Sequence, residues 1–151
     1  MSEILKKKLL ERCIEKVQMK QERLQSTISD AQKSLESESQ STAGDKHDTG
    51  RAMMHLEIEK KSNQLSEIVK LKRVLNQIEP AKKNDKIGLG SIIESNNGWF
   101  FIAINGGKCS VDGIEFTIIS LASPLAQHFS KAMLNKAFKV MNNQYVITKI
   151  F

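Results

Sequence analysis

Residues 10–35 read LERCIEKVQMKQERLQSTISDAQKSL, and the spacing of their apolar positions decides the fold of the first half. Leu10, Ile14, Val17, Gln21, Leu24, Ile28, Ala31 and Leu35 recur at alternating steps of four and three, with Gln21 the single polar member. That is a heptad seam on a long helix. A second run, Met54, Ile58, Leu65, Ile68, Leu71, Leu75 and Ile78, repeats the pattern, with Lys61 interrupting and a three-residue step from Ile68 to Leu71 that overwinds it locally. No proline precedes Pro80, and Gly44 and Gly50 are the only glycines before it. Strong helix formers (Lys, Glu, Gln, Leu) fill the remaining positions.

Between the two runs lies a polar stretch, residues 36–50, with no apolar side chain larger than alanine. Helix, polar turn and helix predict an antiparallel coiled-coil hairpin over 1–80, its tip at about 40–50. Arms of about 30–35 residues give a rod of about 45–50 Å. A plain connection needs only a few residues, so the length of the polar stretch argues for a tip with a task. Residues 81–86 form a linker, introduced by Pro80, which disfavours helical geometry at Glu79.

From residue 87 the period changes. Stretches 87–94 and 99–105 are β-branched and aromatic, with Asn96-Asn97-Gly98 as a hairpin turn between them. Stretches 109–111 and 114–121 are separated by Asp112-Gly113. Ser123 can cap a short helix reaching to about residue 133, with Pro124 at its first position. Stretches 139–141 and 145–151 pair across Asn142-Asn143. The expected fold class is α+β: a helical hairpin, then a small antiparallel sheet domain over 87–151 with one short helix. At about 65 residues that domain is marginal alone and is expected to lean on the base of the hairpin.

Composition narrows the function. Of 151 residues, 40% are hydrophobic, 26% charged and 5% aromatic, which suits a soluble protein with a long helical element better than one large core. The first eight residues contain no apolar signal core, and no stretch has the length of a membrane span. A cytoplasmic protein with two unpaired thiols, Cys13 and Cys109, is therefore expected. The net charge of +6 comes from a nearly balanced first half (15 basic against 13 acidic residues over 1–80) and a more basic second half (8 against 4). Neither half has the basic stripe or aromatic ladder of a nucleic-acid binder.

No catalytic motif is present: no G-x-S-x-G, no phosphate-binding glycine loop, no H-E-x-x-H. Cys109 has no histidine near it in sequence, and three histidines (His47, His55, His128) make a zinc site improbable. The concentrated polar site is the tip. Asp45 and Asp48 stand three apart where the second helix begins, so both carboxylates fall on one side of a turn. They are hard oxygen ligands suited to Mg²⁺, but two cannot hold it without a partner that completes the shell. Equally, Asp45 as N-cap and Asp48 in the first turn would serve the helix itself.

These residues resemble the bacterial GreA/GreB transcript-cleavage factors over nearly the whole chain. The family tip reads Gly-Asp-x-x-Glu-Asn-Ala-Glu-Tyr; Gly44-Asp45-Lys46-His47-Asp48 carries its glycine and both acids, and Thr49-Gly50-Arg51-Ala52 stands in place of its Asn-Ala-Glu-Tyr. Gly90-Ser91-Ile92-Ile93 is similar to the family's Gly-Ser-x-Val strand. Residues 119–126, Ile-Ser-Leu-Ala-Ser-Pro-Leu-Ala, are similar to its Ser-Pro segment, and residues 145–150 to its last strand. The resemblance implies an FKBP-like C-terminal domain that docks on RNA polymerase, with Ser123, Pro124 and Leu125 contributing. It implies a hairpin entering the polymerase's secondary channel. There Asp45 and Asp48 help hold a Mg²⁺ of the polymerase site, which cleaves backtracked RNA. The protein would be a monomer with no active site and no cofactor of its own. Three alternatives stand beside this: a Gre-homologous regulator that inhibits or modulates, an FKBP-like prolyl isomerase using Trp99, Phe100, Phe101 and Phe116, and a coiled-coil adaptor.

Overall fold

A computed structural model describes residues 2–39 and 45–151, with side chains over 2–37 and 49–151. The fold is α+β. Helix α1 (Ser2–Ser39) has 38 residues and α2 (Asp45–Asn76) has 32. After them come strands β1 (Ile92–Ser95), β2 (Gly98–Ala103), β3 (Gly107–Val111) and β4 (Ile114–Ser120), helix α3 (Pro124–Lys131), and strands β5 (Ala137–Val140) and β6 (Asn143–Ile150). Two compact units emerge: Lys16–Lys72, and Met1–Glu15 together with Arg73–Phe151.

Within Lys16–Lys72 the buried or half-buried apolar positions are Val17, Leu24, Ile28, Ala31 and Leu35 of α1, and Met54, Ile58, Leu65, Ile68 and Leu71 of α2. Lys72 Nζ donates to Gln18 Oε1 at 2.8 Å across 54 residues of chain. Upstream the expected seam shifts. Ile14 is 43% exposed and Cys13 is buried in its place. The inward stripe runs Leu9, Cys13, Val17, Gln21, Leu24. Successive steps of four precede the step of three, and this lets an undistorted 3.6-residue helix keep one face inward longer than a strict heptad does.

Helix α2 ends by tightening. The N–H groups of Gln77 and Ile78 bond back to Val74 O (3.1 Å) and Leu75 O (3.2 Å), the three-residue spacing of a closing turn. Lys82 N then donates to Glu79 O at 3.0 Å across a turn with Pro80 at its second position.

The six strands form one sheet in the order β3-β4-β2-β1-β6-β5. It is mixed, where the sequence pattern predicts an antiparallel sheet: β2 and β4 pair in parallel, Trp99 opposite Phe116 and Phe101 opposite Ile118. The other four pairings are antiparallel. A parallel pair normally needs a long crossover. Here the chain leaves β2, passes β4 and makes β3 beyond it, then returns through a tight turn as β4. Gly106 permits the crossing: its N–H donates to Ile118 O at 3.1 Å, and a Cβ there would sit 3.0 Å from Ile118 Cγ2. Asp112 (φ 53°) and Gly113 (φ 78°) make the return, both in the left-handed region that a two-residue hairpin turn of this type requires.

Both faces of the central strands are covered, so burial does not alternate. Ile92 and Ile93 are both buried, as are Phe100, Phe101, Ile102 and Ala103 in succession. One face carries Ile93, Phe100, Ile102, Tyr145 and Ile147, packed with Ala126 and Phe129 of α3. The other carries Ile92, Phe101, Phe116 and Ile118. The helix ends of the same unit lie on this side, with Leu9, Cys13, Leu75 and Ile78 buried. Gly90 (φ 87°) allows the approach, because a Cβ there would meet Ile78 Cγ2 at 3.1 Å.

Candidate functional site

Asp45 and Asp48 both fall in the opening turn of α2. Their backbone spacing puts them on one side of that turn, as the sequence predicts. Residues 40–44 of the expected tip lie outside the described residues, and at 45–48 the description is of the backbone. The polar stretch itself is mostly helix: α1 continues through Ser39, and α2 begins at Asp45 and runs through Gly50. Glu36 and Glu38 are good helix formers, and one glycine costs about 1 kcal/mol, which a long cooperative helix absorbs. Ten of its fifteen residues, 36–39 and 45–50, are thus helical. The length of the stretch no longer separates a working tip from a plain turn; its two acids remain the argument.

Among the described residues no group of three or more His, Cys, Asp or Glu side chains is placed to hold a metal ion. His55 and His128 are exposed on their helices. Cys13 is buried and Cys109 half-buried on β3, with no disulfide between them. Among the described residues no helix is long and apolar enough to cross a membrane.

The Ser-Pro segment has defined local work. Ser123 stands before α3 in extended conformation (φ −64°, ψ 150°), and its Oγ accepts from Ala126 N–H at 3.2 Å. Pro124, at the first helical position where no N–H partner is available, is exposed. Leu125 is half-buried against the aromatic cluster beneath α3. Gln127, His128 and Lys131 project from α3 beside Pro124 and line a shallow hollow of about 160 Å³ with it. After Glu115 the chain carries no acidic side chain at all, but Lys131, Lys136, Lys139 and Lys149. This cationic end is readable from the sequence; the grouping of α3 side chains around Pro124 needs the helix.

The four aromatics of the isomerase alternative do not gather in one cleft. Trp99 meets Phe116 edge-on at 5.7 Å on one face of the sheet. Phe100 points to the other face, 5.0 Å from Phe129 and 6.2 Å from Tyr145.

One buried ion has no clear signature in the sequence. Lys6 is 1% exposed, and its Nζ donates to Lys82 O at 2.8 Å. Burial lowers its pKa from the usual 10.5. In the sequence it sits within Lys6-Lys7-Lys8, and nothing there distinguishes the inward lysine except its three-residue offset from Leu9.

Compared with protein-family models, curated proteins and solved structures, the chain matches none.

Proposed function

We propose that the protein is a Gre-like transcription elongation factor that binds RNA polymerase and supports Mg²⁺-dependent cleavage of backtracked RNA. On this reading α1 and α2 form an antiparallel coiled-coil hairpin and the sheet with α3 is an FKBP-like docking domain. The observation that carries the reading is the position of Asp45 and Asp48. They open α2 at the break between helices of 38 and 32 residues, the shorter of which rises about 48 Å at 1.5 Å per residue. Two carboxylates carried where so long a helix begins suit a role on something a partner supplies. In a two-metal site the ions clamp the attacking and leaving oxygens, so a borrowed pair of carboxylates is a sufficient contribution. The polymerase supplies the Mg²⁺, the RNA and the active site; this chain supplies position and charge. His128 and Lys131 beside Pro124, on a stretch of sequence with no acidic residue after Glu115, suit docking on an acidic protein partner.

A second reading, a polymerase-binding regulator that occupies the channel without stimulating cleavage, draws on Arg51. It stands three residues after Asp48 on α2, the spacing at which side chains are neighbours, and a cation there competes with a metal ion for the carboxylate.

The test is transcript cleavage in stalled polymerase complexes, wild type against Asp45→Asn/Asp48→Asn. Short 3′ fragments with the wild type, lost in the double variant while binding persists, are expected. Binding without fragments refutes the stimulatory reading in favour of the regulator, and absence of binding to polymerase refutes both.

A further inference from the structure

The face of the sheet opposite α3 contains a cavity of about 280 Å³, lined by Ser2 and Leu5 of α1, Trp99, Asp112, Ile114 and Phe151. Of the residues that line it, Leu5, Trp99, Ile114 and Phe151 are apolar and Ser2 and Asp112 polar. We propose that it is a binding site for a small uncharged molecule with an aromatic or cyclic aliphatic body and one hydroxyl or amide group.

The walls are held by rigid elements. Trp99 is paired on both sides within the sheet, opposite Glu94 of β1 and Phe116 of β4. Its ring lies edge-on to Phe116 and parallel to the Phe151 ring, with centroids 6.3 Å apart and planes within 7°. Asp112 is fixed in the β3–β4 turn. The site is thus formed before a ligand arrives, which lowers the ordering cost of binding. Leu5, Trp99, Ile114 and Phe151 are all half-buried. Four large apolar side chains left partly in water around one hollow gain hydrophobic stabilisation from any apolar body that fills it. A volume near 280 Å³ falls at the small end of ligand pockets and accommodates one or two rings, while a space with this lining is a poor site for water.

The ion pair of Asp112 sets the charge of the ligand. Lys8 Nζ lies 2.8 Å from Asp112 Oδ1 and 3.1 Å from Oδ2. Lys8 offsets the charge of the carboxylate, so neither a ligand cation nor a ligand anion gains much from the pair, while a charged ligand still loses its hydration in the apolar hollow. A neutral hydroxyl or amide can donate to a remaining lone pair of the carboxylate without disturbing the ion pair. This site lies on the opposite face from α3 and is independent of the docking surface proposed above.

Trp99 is the chain's single tryptophan, so under native conditions tryptophan emission comes from the wall of this cavity. The full chain is titrated with benzyl alcohol and with cyclohexanol, followed by Trp99 emission and by calorimetry, with benzenesulfonate as the anionic counterpart. Saturable one-to-one binding of the two alcohols is expected, weakened about tenfold or more by Ile114→Phe and, independently, by Leu5→Phe, each of which fills the hollow. Met141→Gln, which alters an exposed apolar residue elsewhere, leaves it unchanged, and benzenesulfonate binds more weakly. Absence of a saturable response, wild-type affinity in both filled variants, or binding of the tripeptide acetyl-Gly-Phe-Gly-amide but of neither alcohol overturns the proposal.

Discussion

Phe129 joins α3 to the sheet, and its truncation tests how that joint is made. Its ring is fully buried and meets three others nearly edge-on: Phe100 at 5.0 Å, Tyr145 at 5.6 Å and Phe138 at 5.8 Å. Phe→Ala in a core costs about 3–5 kcal/mol, and each aromatic pair contributes about 0.5–1.5 kcal/mol of its own. The neighbours sit on paired strands β2, β5 and β6 and cannot collapse into the space. Phe129→Ala is therefore expected in the upper part of that range, about 4–5 kcal/mol. Phe129→Leu keeps most of the buried area and loses mainly the edge-on pairs, about 1.5–2.5 kcal/mol. Urea unfolding followed by far-UV circular dichroism and Trp99 fluorescence measures both. A loss below about 1.5 kcal/mol for the alanine variant, or equal losses for the two, would show that α3 is not anchored through this ring. Because α3 presents Pro124 and its neighbours, a destabilised joint is also expected to weaken polymerase binding on the proposed function.

Two other substitutions test backbone and charge. Lys6 has its pKa lowered by burial, so between its folded value and the unfolded 10.5 the unfolded chain binds more protons. The wild type therefore gains stability as pH rises through that window. Lys6→Met, which removes the ion, is expected to be the more stable chain at pH 7, with its advantage shrinking toward pH 10.5; denaturation at several pH values measures it, and an advantage independent of pH would rule out desolvation as the cause. Met141 adopts φ 57° in the β5–β6 turn with its side chain 94% exposed, so glycine there removes strain at little loss of contact. Met141→Gly is expected to raise stability by about 0.5–1 kcal/mol in thermal unfolding, the left-handed penalty of about 1–2 kcal/mol less the entropy cost of glycine. A lower melting temperature would contradict it.

The sequence by itself determined the order of elements. Two long helices result from apolar spacing and from the absence of proline before Pro80. Strand and helix boundaries are set by local chemistry, as at Asp112-Gly113 and Ser123-Pro124, where a turn or a cap is a property of two or three adjacent residues. The acidic pair at Asp45 and Asp48 was equally legible, because a spacing of three on a helix fixes a common side. Tertiary structure decided what local pattern cannot encode. The parallel pairing of β2 with β4 depends on a chain crossing made possible by Gly106 against Ile118, in a different strand. The exchange of Ile14 for Cys13 in the inward stripe of α1 reflects the phase of a real helix, which the choice of a heptad frame had preset. The split of Trp99 and Phe100 to opposite faces follows from the period of two along a strand, whereas the burial of Lys6 and the hollow beside Trp99 both arise where α1 and the sheet of one unit meet. Such features belong to the meeting of distant segments, since hydrophobic burial is indifferent to sequence separation while turns and caps are governed by it.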